Sequence, residues 1–124
     1  MQILLVEDNA TNQKVVRLML KKLGYQQLEI ANNGEEAVNM TAAKTYDIVF
    51  MDMQMPVMDG FEATKTIRQR EERQNQNRLT IIAMTANAMG GDRESCIAVG
   101  MDDYISKPIR RNILAKVFER LQAA

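Results

Sequence analysis

Five short apolar runs, separated by longer stretches with helical periodicity, constrain the fold of this 124-residue chain more than any other feature. The runs read ILLV, LEIA, DIVFM, TIIAMT and DYIS, at residues 3–6, 28–31, 47–51, 80–85 and 103–106. Each run has the length and the apolar content of a buried β-strand.

Helical patterns fill the segments between these runs. The clearest has apolar residues at positions i, i+3, i+4 and i+7 and a glycine stop signal, Gly24, and consists of Val16, Met19, Leu20 and Leu23. After Pro108 the last helix carries one apolar stripe, made of Ile113, Leu114, Val117, Phe118 and Leu121. Weaker patterns cover residues 34–44, 60–72 and 89–99. Because strands and helices alternate, we predict an α/β fold in which helices flank a parallel sheet.

Composition excludes several classes of function. The chain has no histidine, which removes Ser/His/Asp and Cys/His catalysis and histidine-ligated zinc. Cys96 is the only cysteine, so no internal disulfide is possible, and it is interpreted as a small buried residue. Sixteen basic residues balance sixteen acidic ones, and the polar stretch at residues 68–78 is interrupted by Glu71 and Glu72. We therefore expect a solvated helix end there and no nucleic-acid contact.

The length predicts one domain over residues 1–124, large enough to bury a core without disulfides or structural metal. The chain has no apolar run approaching the length of a membrane span, and its first residues reach two acids too soon for a signal peptide. We therefore expect no membrane contact by this domain and a cytoplasmic location.

Residues with charged or hydroxyl side chains cluster after the predicted strands, at the ends where open α/β sheets bind ligands. These residues are Glu7 and Asp8 after the first strand, Asp52 after the third, Thr85 and Ala86 after the fourth, and Lys107 after the fifth. If the second strand is an edge strand, as in the order 2-1-3-4-5, the other four ends are neighbours. The prediction is a flavodoxin-like (βα)5 sandwich of three layers with one pocket.

The chemistry of that pocket points to a divalent cation and a phosphoryl group. Two carboxylates about 4 Å apart repel by roughly 4 kcal/mol at an effective dielectric constant of about 20, and three acids share one lysine. Oxygen ligands of high charge suit Mg²⁺. The Thr85 hydroxyl and the Lys107 ammonium suit charged phosphoryl oxygens. An ionised Asp52 needs no general base to act as a nucleophile.

Four segments in order, LLVEDN, DIVFMDMQMPVMDG, IIAMTA and GMDDYISKPI, resemble the receiver domain of two-component response regulators. The resemblance spans essentially the whole chain. The residues of these four segments are most similar to those of receivers fused to hybrid sensor histidine kinases. The resemblance implies a phosphorelay switch in the cytoplasm, or in the cytosolic part of a membrane-bound sensor kinase.

For the site, the resemblance implies that Asp52 accepts a phosphoryl group from a partner's phosphohistidine. Asp8 and Asp52 would bind Mg²⁺ directly, or Mn²⁺ in its place, with Glu7 acting nearby through water. The backbone carbonyl of Gln54 would complete the metal site.

The resemblance also implies a switch. Lys107 would pair with Asp52 and then with a phosphoryl oxygen, and the bond between Lys107 and Pro108 would be cis. Thr85 would bind the phosphoryl group as Tyr104 turns inward, and the small Ala86 would leave room for both.

Two further expectations concern the lifetime of the phosphoryl group, which we infer from position in the chain, and the partners, which the resemblance implies. Gln54 and Asn87, each two residues beyond a site residue, flank the approach of a hydrolytic water and would tune the lifetime. The donor would be a histidine kinase or a histidine phosphotransfer protein. A downstream partner would bind the face formed by helix 4, strand 5 and helix 5.

Three other functions share parts of this pattern. A magnesium-dependent phosphatase of the haloacid-dehalogenase type would need a second aspartate at the position of Gln54. A receiver-like binding module independent of phosphorylation would not need the intact site. A flavodoxin-like cofactor binder should have a loop rich in Ser, Thr or Gly where the chain reads VEDNATN. We expect no stand-alone enzyme beyond self-catalysed phosphotransfer and autodephosphorylation.

Several other polar or soft residues receive a structural interpretation. Asp59, before a glycine and a helical pattern, is predicted to be a turn residue or helix N-cap. Asp102 and Asp103 are expected to be solvated loop charges at the amino end of the last strand. The methionines around Asp52 are expected to pack in the core and loop.

Overall fold

The strands of the chain form a five-stranded parallel sheet in the order β2-β1-β3-β4-β5. The computed structural model describes residues 1–53, 55, 57–86 and 93–123. The strands are β1 Ile3–Val6, β2 Leu28–Ala31, β3 Ile48–Asp52, β4 Ile81–Thr85 and β5 Asp103–Ser106. The predicted fold and strand order are confirmed, and Asp52 is the last residue of β3 rather than the first after it.

A helix follows each strand, and the first three helices begin at a capping side chain. The helices are α1 Ala10–Lys22, α2 Gly34–Ala43, α3 Gly60–Gln74, α4 Arg93–Ala98 and α5 Arg111–Ala123. Asn9, Asn33 and Asp59 cap α1, α2 and α3 by accepting a hydrogen bond from a backbone N–H three residues later. The N-cap prediction for Asp59 is therefore confirmed. The first part of the predicted helix at 89–99 lies outside the described residues, and no described helix is long and apolar enough to cross a membrane.

Both faces of the sheet are covered, which explains why the three central strands, β1, β3 and β4, are buried along their whole length. Successive residues of a strand point to opposite faces. Val49 packs in the cluster that contains Ile67 of α3, whereas Phe50 packs with Leu20 of α1 and Leu114 of α5. All five side chains are fully buried. The polar residues at the carboxyl ends of the strands therefore stand on a rigid support.

Glu71, expected to be solvated, is buried. Its carboxylate accepts hydrogen bonds from Arg68 Nη1 at 2.8 Å and from the backbone N–H of Leu79 at 2.7 Å. Arg68 also donates to the carbonyl oxygens of Leu79 and Gly100. The expectation is wrong because the loop before β4 folds back over α3 and closes around this carboxylate.

Asp102 and Asp103 lie at the amino end of β5, as expected, but they are not simply solvated charges. The carboxylate of Asp102 accepts from the backbone N–H of Ile81 at 2.8 Å and from Arg68 Nη2 at 3.0 Å. Asp103 forms an ion pair with Arg120 of α5 at 2.7 Å. The expected exposure is found at Asp102, but the ion pairs were not foreseen, because these partners come from segments remote in the sequence.

Tyr46 supplies a test of the packing at the amino end of β3. Its hydroxyl donates to Glu29 Oε1 at 2.6 Å, and burial, followed by this bond and the charge of Glu29, raises the pKa of Tyr46 to about 12. Because the pKa is raised on folding, the stability that Tyr46 contributes is present below its ordinary pKa of about 10. It is lost as the pH rises through about 12.

We expect an alkaline titration of tyrosinate absorbance to show one of the three tyrosines ionising near pH 12. Tyr46→Phe should remove that step, and Glu29→Gln should move it toward the ordinary value. Three tyrosines that ionise together near pH 10 would contradict the assignment.

Candidate functional site

The strand order brings the predicted site residues to one edge of the sheet. Glu7 and Asp8 follow β1, Asp52 ends β3, Thr85 ends β4, and Lys107 follows β5. The carboxyl ends of β1, β3, β4 and β5 are consecutive in the sheet, with β2 at the far edge.

Three carboxylates meet at this edge. Glu7, Asp8 and Asp52 each offer an oxygen within 4.8 Å of the others. Glu7 and Asp52 are both only 2% exposed, whereas Asp8 is open to solvent. Oxygen ligands with one solvent-facing member suit Mg²⁺, which keeps part of its water shell when bound to proteins. The residues present therefore fit this cation.

Lys107 supplies positive charge to the same group. Its Nζ lies 3.0 Å from Asp52 Oδ2 and 3.5 Å from Glu7 Oε2. Burial alone would lower the pKa of Lys107, but the hydrogen bond and charge of Asp52, with the charge of Glu7, outweigh it and raise the pKa. The ammonium is therefore held charged between two nearly buried carboxylates.

The pKa of Glu7 is also raised, but for different reasons. Burial is the largest cause that raises the pKa of Glu7, and the charge of Asp52 adds to it. The Lys107 ammonium and hydrogen bonds from the Asn9 backbone N–H and Asn12 Nδ2 act in the other direction. Burial and the charge of Asp52 together outweigh these interactions, so the pKa of Glu7 stays raised.

The ends of β4 and β5 are joined directly. The backbone N–H of Lys107 donates to the carbonyl oxygen of Thr85 at 2.8 Å, and Thr85 is itself only 2% exposed. Ala86, next along the chain, is exposed, and the peptide bond between Lys107 and Pro108 is cis, as the resemblance implied. Tyr104 is half-buried and packs against the core cluster on the α3 face.

Two predicted site residues, Gln54 and Asn87, lie outside the described residues. The carbonyl ligand assigned to Gln54 and the lifetime role assigned to both positions stay predictions.

The loop between β3 and α3 contains contacts that the sequence did not reveal. A Cβ at Gly60 would overlap the carbonyl oxygen of Asp52, and a Cβ at Gly34 would overlap that of Met58. The backbone N–H of Gly34 also donates to Met58 at 2.9 Å. The motif Asp-Gly indicated a turn at Gly60, but only the tertiary structure shows that this glycine lets α3 approach the strand carrying Asp52.

Val57 in the same loop has a φ of 70° and is 76% exposed. Left-handed backbone is unfavourable for a β-branched residue. We expect Val57→Gly to raise the free energy of unfolding by about 1 kcal/mol, because the relief of strain exceeds the entropy that glycine adds to the unfolded chain. The measurement is urea unfolding.

Asn75, with a φ of 52° at the end of α3, is the matched control. Asparagine tolerates this conformation, so Asn75→Gly should change stability by only a few tenths of a kcal/mol. Equal effects at the two positions would contradict the assignment of strain to Val57.

The family model of the response regulator receiver domain matches residues 3–119. Hybrid signal transduction histidine kinase F of Dictyostelium discoideum is 42% identical over 96% of this chain, which spans 11% of that kinase. Across eight curated relatives the chain spans between 4% and 16% of their length.

Two solved structures share the fold closely. The receiver domain of sensor histidine kinase PA1611 from Pseudomonas aeruginosa PAO1 is 43% identical with a TM-score of 0.86, covering 99% of this chain and 98% of that one. That crystal structure has a magnesium ion coordinated in the active site cleft. The receiver domain of Saccharomyces cerevisiae Ssk1, co-crystallised with the histidine phosphotransfer protein Ypd1, is 34% identical with a TM-score of 0.88. This match covers 94% of our chain and 84% of that chain.

Proposed function

The chain belongs to the response regulator receiver domain family, and from this premise we propose that Asp52 is its phospho-acceptor. Residues 1–124 form one receiver domain, which takes a phosphoryl group from the phosphohistidine of a histidine kinase or a histidine phosphotransfer protein. Support for the donor class comes from the relatives, which include hybrid histidine kinases and a receiver co-crystallised with a phosphotransfer protein.

The ion pair between Lys107 Nζ and Asp52 Oδ2, at 3.0 Å, carries this proposal. It holds a nearly buried carboxylate in place beside a positive charge at the edge of the sheet, and a fixed orientation is what an attacking oxygen requires. Nothing in the described residues favours the alternative phosphatase, the alternative binding module or a flavodoxin-like cofactor site.

In the reaction, a carboxylate oxygen of Asp52 forms a bond to phosphorus while the bond from phosphorus to the donor's imidazole nitrogen breaks. The electron pair of that bond stays on the nitrogen. Asp8 and Asp52 would hold Mg²⁺ directly, with Glu7 nearby through water and the Gln54 carbonyl as a further ligand. When bound, Mg²⁺, or Mn²⁺ in its place, neutralises the acids and the phosphoryl oxygens.

The signal follows from the new dianion on Asp52. The Thr85 hydroxyl and the Lys107 ammonium move toward its oxygens, beside the small Ala86. Because the Lys107 backbone N–H is bonded to the Thr85 carbonyl, the ends of β4 and β5 respond together. Tyr104 then turns inward from its half-buried position. Gln54 and Asn87 tune the lifetime of the phosphoryl group.

The downstream partner binds the face formed by α4, β5 and α5. A groove of about 510 Å³ on the β5 and α5 part of this face is lined by β5 and by the α5 side chains Ile113, Lys116 and Arg120. Tyr104 and Lys107 both line this groove, so a movement of either side chain changes the shape of the groove directly.

The donor docks on α1. Val15, Val16, Pro108 and Ile109 line a groove that opens beside Lys107 and Glu7. Val15 and Leu18, one turn apart on α1, are 41% and 59% exposed. The chain has no acid between residues 9 and 28 and four basic residues in α1, Lys14, Arg17, Lys21 and Lys22. A helical donor with apolar and acidic residues fits this surface.

We expect Leu18→Ala to slow phosphotransfer from a histidine phosphotransfer protein by about tenfold, as for the loss of an apolar contact in an interface. Phosphorylation by acetyl phosphate, which needs no docking, should stay unchanged. Ile97→Ala on α4, where the side chain is 52% exposed, is the control and should slow neither reaction. A slower reaction with acetyl phosphate would contradict the docking role.

The test of the proposed function is incubation of the chain with acetyl phosphate, with Mg²⁺ and with EDTA, followed by mass spectrometry. The expected product carries one phosphoryl group, forms only with Mg²⁺ and is released by hydroxylamine, as an acyl phosphate should be. Labelling that proceeds equally in EDTA would refute the proposal.

A further inference from the structure

The side-chain amide of Gln13 bridges two loops at the edge of the sheet where the candidate site lies. Gln13 lies in α1, and its Nε2 donates to the backbone carbonyl oxygen of Glu7 at 2.6 Å and to Asn32 Oδ1 at 3.0 Å. Both acceptors require a donor, so the amide nitrogen, and not the amide oxygen, faces them. The loop after β1 and the loop after β2 are therefore held together by one side chain.

Asn32 is held in turn by α2. Its backbone N–H and its Nδ2 donate to Glu36 Oε1 at 3.0 and 3.2 Å. The backbone N–H of Glu36 is itself fixed by the Asn33 cap at 2.8 Å. Gln13 Nε2 thus donates in two directions, to the Glu7 carbonyl and to Asn32 Oδ1, and the Asn32 amide donates onward to the Glu36 carboxylate, which strengthens the bond that Asn32 accepts from Gln13.

The carbonyl that Gln13 contacts belongs to the peptide group joining Glu7 to Asp8. β1 ends at Val6, so this peptide group lies beyond the strand. The Glu7 backbone N–H donates to Ala31, and the orientation of the following carbonyl is held by Gln13. Rotation of that peptide group would swing the Asp8 carboxylate relative to Asp52. Such a rotation would separate the oxygens that lie within 4.8 Å of one another.

We propose that Gln13 is a positioning residue that sets the Mg²⁺ affinity of the acids Glu7, Asp8 and Asp52, through the Glu7–Asp8 peptide group. Asn32 and Glu36 support it from α2. The inference rests on the proposed function, in which these acids hold the cation. Residues that orient metal ligands affect metal affinity although they do not touch the metal.

The test uses Gln13→Met in the whole chain, because methionine keeps the length and helix propensity of glutamine but cannot donate. Isothermal titration with MgCl₂ should show a dissociation constant about tenfold higher than in the parent. Gln69→Met, the same change at an exposed position of α3, should stay within about twofold. Asn32→Ala, at an exposed position, should weaken Mg²⁺ binding by about threefold, since Gln13 keeps its bond to Glu7.

Two further readouts separate positioning from a loss of fold. Urea unfolding of Gln13→Met in EDTA should stay a single cooperative transition, with a midpoint lowered by no more than the loss of two hydrogen bonds explains. Its rate of phosphorylation by acetyl phosphate should return to the parent value at saturating Mg²⁺, since only the affinity is changed.

Parent-like Mg²⁺ affinity in Gln13→Met and Asn32→Ala would overturn this inference and leave the proposed function standing. A reduced maximal rate with unchanged affinity would overturn it as well. If Gln13→Met does not fold, the Mg²⁺ affinity of Asn32→Ala alone tests the inference. A parent that binds no Mg²⁺ would overturn both the inference and the proposed function.

Discussion

Asp52→Asn is expected to abolish phosphorylation of the chain by acetyl phosphate, with a loss of more than about a thousandfold, as when a nucleophile is removed. The amide is isosteric with the carboxylate, so the packing of the 2% exposed side chain should survive. What is lost is the charged oxygen that attacks phosphorus and the partner of Lys107 Nζ. Intact-mass spectrometry after incubation with Mg²⁺ gives the measurement.

Asp59→Asn is the matched control for that experiment. Asp59 lies in the loop that follows β3 and caps α3 by accepting a hydrogen bond from the backbone N–H of Glu62 at 2.9 Å, a role that asparagine also performs. Acetyl phosphate should therefore phosphorylate the Asp59→Asn variant to the same extent as the parent. Equal labelling of the Asp52→Asn variant would show that another residue is the acceptor.

Lys107→Met is expected to lower the free energy of unfolding in EDTA by about 2 kcal/mol, because it removes the ammonium between two nearly buried carboxylates. Breaking a fully buried pair costs about 3–5 kcal/mol, and the smaller figure allows for the 26% exposure of the lysine side chain. In saturating Mg²⁺ the loss should shrink, since the cation replaces part of the missing charge. Urea unfolding with and without Mg²⁺ gives both values.

Lys44→Met is the control for this prediction. Lys44 pairs with Glu29 at 2.9 Å, but both side chains are 44% exposed. Such surface pairs contribute about 0–1 kcal/mol. Equal losses at Lys44 and Lys107, or a loss at Lys107 that Mg²⁺ leaves unchanged, would show that charge at the site edge does not govern stability.

The fold was predictable because its signals are local. A strand buried on both faces is a short apolar run, and a helix that packs on the sheet repeats its apolar residues every three or four positions. These patterns located every strand to within one residue. The site followed from the same reasoning, since parallel strands place Asp52 and Lys107 at the same edge although 55 positions separate them in the sequence.

The interactions that the sequence did not reveal are those of polar side chains, whose partners are brought into reach by the folded chain. Glu71 and Asp102 were expected to be solvated, yet Arg68 of α3 binds both of them. Gln13 was not identified at all, although an amide three positions before Val16, where the buried stripe of α1 begins, was a possible signal. A polar residue gives no periodic pattern, so its partner is defined only when the chain has folded.

By itself the sequence determined the order of strands and helices, the absence of histidine chemistry, and the acids, hydroxyl and lysine that end the strands. Only the tertiary structure decided that Lys107 lies 3.0 Å from Asp52 and that Gln13 ties the loop carrying Glu7 to the loop carrying Asn32. Secondary structure depends on the apolar character of neighbours along the chain. Distances between charges depend on how whole strands and helices pack.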